Sequence, residues 1–131
     1  MKCKIKTGSG VAAKDSSKWF QEWANQHGII LFPGTLNAVP SMKGFPFPDD
    51  YICLKKFDYA MGNKHSRNIP GYSPRFYPAI LNNQQRVWVF QWREFHGKKP
   101  LLEIVAEVCL REKFNLKDGD VIDLEWSDYM K

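Results

Sequence analysis

Leu31-Phe32-Pro33-Gly34-Thr35-Leu36-Asn37 is the stretch around which the rest of this chain can be arranged. The apolar run Ile29 to Phe32 predicts a buried strand. Pro33-Gly34 breaks that run, because Pro fixes φ and Gly reaches conformations that other residues avoid. A hydroxyl and a carboxamide follow, Thr35 and Asn37. If the chain is extended there, period-2 geometry points both to one face and sends Leu36 into the core. Two neutral oxygen donors beside a sharp turn suit a hard cation such as Mg²⁺, which keeps several waters and a phosphate. A turn in which Thr35 and Asn37 only cap backbone groups is the other reading of the same residues.

On the N-terminal side, Lys2 to Lys6 alternates Cys3 and Ile5 against lysines, which predicts a short strand. Thr7-Gly8-Ser9-Gly10 then turns the chain. Its two glycines would let backbone N–H groups approach a phosphate, and a plain hairpin turn explains them as well. Lys14, further along, is either a charge for a phosphate or a solvated loop lysine. Asp15-Ser16-Ser17 offers caps for a helix over Lys18 to His27, closed by Gly28. Trp19, Phe20 and Trp23 form a broad aromatic stripe on it, read as packing.

On the C-terminal side, Ala38 to Asp50 is rich in Pro and Gly and predicts a long irregular loop. Tyr51 to Phe57 reads as a strand. The irregular stretch Gly62 to Pro74 carries Lys64, His65 and Arg67, with Arg75 just beyond. Such a basic loop closes over a phosphate or is merely solvated. Phe76 to Leu81 and Arg86 to Trp92 predict a hairpin around Asn82-Asn83-Gln84-Gln85. In the strand Leu101 to Glu107, Leu101, Glu103 and Val105 share one face, and Leu102, Ile104 and Ala106 share the other. Glu103 is thus a carboxylate between apolar neighbours. It stands at a barrel mouth or needs a partner, since unpaired burial is costly; a surface glutamate on an edge strand is the plainer reading. Val108 to Phe114 predicts a turn or two of helix, and Val121 to Trp126 a last strand.

The 131 residues fit one domain over residues 1–131 with a genuine core. Hydrophobic residues at 44% and charged residues at 25% are ordinary for a globular protein. Aromatics at 15%, with five Trp, point to a well-filled small barrel or a flat-ringed ligand. No run is long enough to span a membrane and no apolar signal region opens the chain, so a cytoplasmic protein is expected. Cys3, Cys53 and Cys109 are widely spaced without a C-x-x-C pair, which predicts reduced thiols and neither a disulfide framework nor a zinc site. A net charge of +5 favours anionic partners, nucleotide phosphates and DNA alike. No G-x-x-x-x-G-K-[ST] sequence is present, which argues against P-loop chemistry.

Gly34-Thr35-Leu36-Asn37 resembles the G-T-L-N signature of the CTP-dependent riboflavin kinases. Glu103-Ile104-Val105-Ala106 followed by Leu110-Arg111-Glu112-Lys113-Phe114-Asn115-Leu116-Lys117-Asp118-Gly119-Asp120-Val121-Ile122 resembles that family's closing segment, with Glu107 where proline is usual. Gly8-Ser9-Gly10 matches the family's glycine-rich loop more weakly, since Val11-Ala12-Ala13-Lys14 replaces an E-G-containing stretch. The resemblance implies a mostly β fold with short helices, a small cradle-loop barrel. It implies transfer of the terminal phosphoryl group of a nucleotide, CTP in the family, to riboflavin, giving FMN. By the same resemblance Mg²⁺ is held near Thr35 and Asn37, and Gly8, Ser9 and Gly10 cradle the nucleotide. Val108, Cys109, Leu110 and Arg111 touch the nucleotide as well, with Arg111 on a phosphate or tying the turn to a carboxylate. Glu103 contacts the flavin near the hydroxyl to be phosphorylated.

Two rival expectations stand beside this one. A divergent kinase of another small alcohol would explain the altered glycine loop and a middle that matches poorly; at Phe95 the threonine usual in the family is missing. Leu110 to Leu124 also resembles the hairpin of AbrB-type DNA-binding barrels, and the pI near 9.1 suits DNA equally. The G-T-L-N element is not required by a DNA binder, so a nucleic-acid partner is not expected.

Overall fold

The computed structural model describes residues 1–6, 17–41, 48, 52–53, 75–91 and 101–129. The elements run β1 (Lys2–Lys6), α1 (Ser17–Gln26), β2 (Leu36–Pro40), β3 (Ile52–Cys53), β4 (Arg75–Leu81), β5 (Gln85–Gln91), β6 (Leu102–Val105), α2 (Leu110–Lys113) and β7 (Val121–Trp126). All strand pairings are antiparallel, in the order β3-β4-β5-β6-β2-β1-β7. A further pairing of β4 with β7 closes six of them into a barrel. This is the mostly β barrel with short helices that the sequence predicts. The predicted strands Lys2–Lys6 and Val121–Trp126 keep their bounds.

Strand alternation decides which side chains fill the barrel. Cys3 and Ile5, Leu36 and Ala38, Tyr77 and Ala79, Val87 and Val89, Leu102 and Ile104, and Ile122 and Leu124 form one buried cluster inside it. The opposite face of β4, β5 and β6 contributes Phe76, Trp88, Phe90 and Val105 to a second cluster, which α1 covers with Trp23 and Ala24. Trp23 stacks on Phe76 at 4.1 Å between ring centroids and meets Trp88 edge-on at 5.4 Å. Strands covered on both faces need apolar residues at nearly every position. This explains why Arg75–Leu81 and Gln85–Gln91 lack the clean alternation of β1. The side chains of Trp19 and Phe20 lie outside the described residues.

β4 shares its far edge between two partners, β3 at Arg75 and Phe76 and β7 from Ala79 to Leu81. Pro78 sits between them. Its carbonyl accepts from Ser127 N–H at 3.0 Å just past the end of β7, so its missing N–H forgoes only the reciprocal bond at the frayed end of that ladder. The β4–β5 hairpin turns through Asn82 and Asn83, both at positive φ, which Asn tolerates better than most residues.

The predicted strand Ile29 to Phe32 does not form. Gly28, at φ +69°, ends α1, with Gly28 N–H bonded to Asn25 O and Ile29 N–H to Ala24 O. Ile29 is therefore committed to the helix cap, and Leu31 O accepts from the Gln21 side chain. Phe32 N–H reaches a neighbouring segment at Ala106 O, 2.8 Å, and no ladder forms among the described residues. Burial still alternates, with Ile29 and Leu31 under α1 and Ile30 82% exposed. The apolar pattern was real, but its backbone groups were already taken.

Among the described residues Cys3 and Cys109 are free thiols, and burial pushes Cys3 up to about 11. No helix among the described residues is long and apolar enough to cross a membrane.

Candidate functional site

Among the described residues, the cavity at one end of the barrel gathers Thr35, Val108, Cys109, Leu110 and Arg111, while Asn37 and Glu103 pair on the outer face of β2 and β6 and do not line it. Lys6 ends β1, Leu36 begins β2, Val105 ends β6, and the segment to α2 follows. Between the segments Phe32–Leu36 and Ala106–Arg111 lies a cavity of about 190 Å³. Its walls include Thr35, Ile104, Val108, Cys109, Leu110 and Arg111. Ligand pockets commonly run from roughly 300 Å³ upward, so this space suits part of a ligand. Two motifs far apart in the chain thus face each other, because β2 and β6 are hydrogen-bonded neighbours.

Gly34 lets the chain turn into the cavity wall. Its φ is +108°, and a Cβ placed there would meet nothing within 4 Å. The cost of Gly34→Ala is therefore that of the backbone alone, about 1 kcal/mol. Urea unfolding should show that loss; an unchanged midpoint would mean that the turn relaxes freely.

Leu36 is buried inside the barrel, which leaves Asn37 on the outer face. The extended geometry expected of Thr35-Leu36-Asn37 is present from Leu36 onward, with Thr35 just before the strand. Asn37 Oδ1 is buried without a hydrogen-bond partner. A buried acceptor left unsatisfied costs about 1–3 kcal/mol. It is a donor atom of the type a hard cation takes. Among the described residues no three His, Cys, Asp or Glu side chains group into a metal site, so a cation here would rest on neutral oxygens and on its ligand.

Glu103 stands directly opposite Asn37 on β6, and Phe90 of β5 stands opposite Glu103. The three share the outer face, since Leu102 and Ile104 point into the barrel. Burial among these neighbours raises the Glu103 carboxyl above its ordinary value of 4.5. A carboxylate with raised proton affinity, next to an orphaned carboxamide oxygen, is equipped to take a proton from a hydroxyl.

Val108 and Cys109 lead into α2, Leu110 is buried beneath it, and Arg111 stands at the cavity rim. Arg111 Nη2 donates to Asp118 Oδ1 at 2.8 Å. This exposed pair satisfies the structural role foreseen for the arginine, and the guanidinium keeps further donors for an anion. Sequence reasoning missed the cavity walls Phe32, Pro33 and Ala106. Phe32 is 43% exposed, and a strand assignment concealed that exposure. The Gly8-Ser9-Gly10 loop, the basic stretch Lys64 to Arg67 and Phe95 lie outside the described residues.

The family of CTP-dependent riboflavin kinase domains, described as domain of unknown function DUF120, matches residues 7–125. A riboflavin kinase of Saccharolobus solfataricus is 34% identical over 103 residues, which cover 75% of this chain and 55% of that protein. The chain therefore spans about half the length of that relative. A riboflavin kinase of Staphylothermus marinus is 30% identical over 131 residues, covering 95% of this chain and 88% of that protein.

Proposed function

The chain belongs to the CTP-dependent riboflavin kinase family, and from that premise we propose that it transfers the terminal phosphoryl group of a nucleotide, CTP, to a hydroxyl of riboflavin, giving FMN and CDP. The observation that carries the proposal is the register that sets Glu103 beside Asn37, whose buried oxygen has no partner, on the two strands whose adjacent residues Leu36 and Ile104 line the Thr35–Arg111 cavity.

Each residue has a physical task in this reading. Glu103 holds the acceptor hydroxyl and takes its proton as the oxygen attacks phosphorus. The apolar surroundings that raise its proton affinity also bring it nearer to the working pH of a general base. Thr35 and Asn37 would hold Mg²⁺, which supplies charge neutralisation at the phosphates. Val108 to Arg111 line the space for part of the nucleotide, with the Arg111 guanidinium directed to phosphate oxygens. Gly8 to Gly10 would offer backbone N–H groups to the same phosphates. Phosphoryl transfer needs little beyond such positioning and electrostatics.

The test is a kinase assay that crosses CTP, ATP, GTP and UTP with riboflavin and with other small alcohols. FMN formation with CTP ahead of the others is expected. The nucleotide with Mg²⁺ should also raise the unfolding temperature, by about 2.7 kcal/mol of added stability at a hundredfold excess over Kd. Phosphorylation of another alcohol alone would replace the acceptor in this reading. Sequence-selective duplex binding without any nucleotide effect would replace the reading itself.

A further inference from the structure

The outer-face row that holds Glu103 and Asn37 continues onto a third strand. On β1, alternation buries Cys3 and Ile5 and leaves Lys2, Lys4 and Lys6 exposed outside. Lys6 is paired with Asn37, as Asn37 is with Glu103. Residues directly opposite on neighbouring strands share a face, with Cβ atoms about 4.5–5.5 Å apart. Lys6, Asn37 and Glu103 therefore form a consecutive row, its two ends about 10 Å apart at two strand spacings.

The neighbours of the three lysines differ. Lys2 stands opposite Asp123, and Lys4 stands between Val39 and Val121. Lys6 alone stands beside the orphaned oxygen of Asn37. Among the described residues no ion pair engages Lys6. It is also the last residue of β1. The backbone just before it is pinned, with Gly119 N–H bonded to Ile5 O at 2.9 Å and Ile5 N–H to Asp120 O at 2.8 Å. The same short loop carries Asp118, the partner of Arg111. One loop thus ties the strand end bearing Lys6 to the arginine at the cavity rim.

We propose that Lys6 is a phosphate-contacting residue of this site, its ammonium engaging the terminal phosphates of the nucleotide. Acceptor, carboxamide and donor phosphate then follow one another along a single cross-strand row. This rests on the phosphotransferase reading above. In the step itself the acceptor oxygen bonds to the terminal phosphorus while its proton passes to Glu103. The bond from that phosphorus to the bridging oxygen breaks, and the leaving diphosphate keeps the electron pair. Lys6 forms no covalent bond; it offsets the charge that collects on the phosphate oxygens. A compact ammonium on a flexible stem suits that task, since it adds point charge without demanding bidentate geometry.

The test compares Lys6→Met with Lys4→Met, which removes a charge from the same face one residue pair away. Calorimetric titration of CTP with Mg²⁺, at fixed salt and without flavin, reads the contact separately from turnover. Loss of one charge-assisted contact at an exposed position should weaken binding about tenfold. Lys4→Met should bind as the unaltered protein does, Lys6→Arg should recover most of the affinity, and riboflavin binding and thermal unfolding should stay unchanged throughout. Equal affinity in Lys6→Met, or an equal loss in Lys4→Met, overturns the assignment. If Lys6→Met loses nucleotide while the unaltered protein phosphorylates no riboflavin, Lys6 keeps its role and the acceptor reading falls. If the unaltered protein binds none of the four nucleotides, both fall.

Discussion

Asn37→Ala is expected to lower riboflavin phosphorylation by about 10³-fold, the scale set by several kcal/mol of charge stabilisation from a bound metal. The folded protein should barely notice. Asn37 Oδ1 is buried with no partner, so the native state gains nothing from it until a ligand arrives. Removing an unsatisfied acceptor is neutral or stabilising, and thermal unfolding without ligand should stay level or move upward. Adding Mg²⁺ and CTP should then widen the contrast, because only the unaltered protein would gain the full stabilisation by mass action. A variant with full activity would return Thr35-Leu36-Asn37 to a plain structural role. So would a variant that fails to fold, since it would show the carboxamide working in the fold itself.

Glu103→Gln should cost roughly 10²-fold or more in turnover while keeping flavin binding, read as quenching of flavin fluorescence. The amide still accepts a hydrogen bond from the hydroxyl but cannot take its proton. A much smaller loss would mean that the carboxylate only positions the hydroxyl, as a loose transition state permits. Stability offers an independent reading. Burial raises the folded-state value of Glu103 above its ordinary 4.5. The folded chain therefore holds this proton more tightly than the unfolded one. Its contribution is fully present below 4.5 and is lost as pH rises through the folded-state value. Unfolding temperatures of the two proteins followed from acid to neutral pH should diverge across that window, with the glutamine variant gaining relative to the glutamate. Parallel curves would mean that Glu103 is solvated in solution.

Some of this site could be read along the chain because its signals are local. The break at Pro33-Gly34 and the spacing of Thr35 and Asn37 need only the rules of extended backbone. The face of Glu103 followed from the same rules, and the structure keeps Leu102 and Ile104 inside the barrel. Ile29 to Phe32 shows where local reading fails. Its apolar residues alternate as a strand would, yet a helix cap at Gly28 and the Gln21 side chain take its backbone partners. Nothing in four apolar residues announces which groups elsewhere will satisfy their N–H and C=O.

By itself the sequence determined the strands β1 and β7, the helix ended by Gly28, and the mostly β barrel, since alternation and turn residues act over a few positions. It also carried the family, because the G-T-L-N and closing segments are contiguous. Only the tertiary structure decided that β2 lies between β1 and β6, and so that Lys6, Asn37 and Glu103 stand in one row. The physical reason is that register belongs to pairs of strands. It is fixed when the barrel closes and every inward side chain must fit the same core, and a slip of one residue would turn Asn37 and Glu103 inward and send Leu36, Leu102 and Ile104 to the outer face.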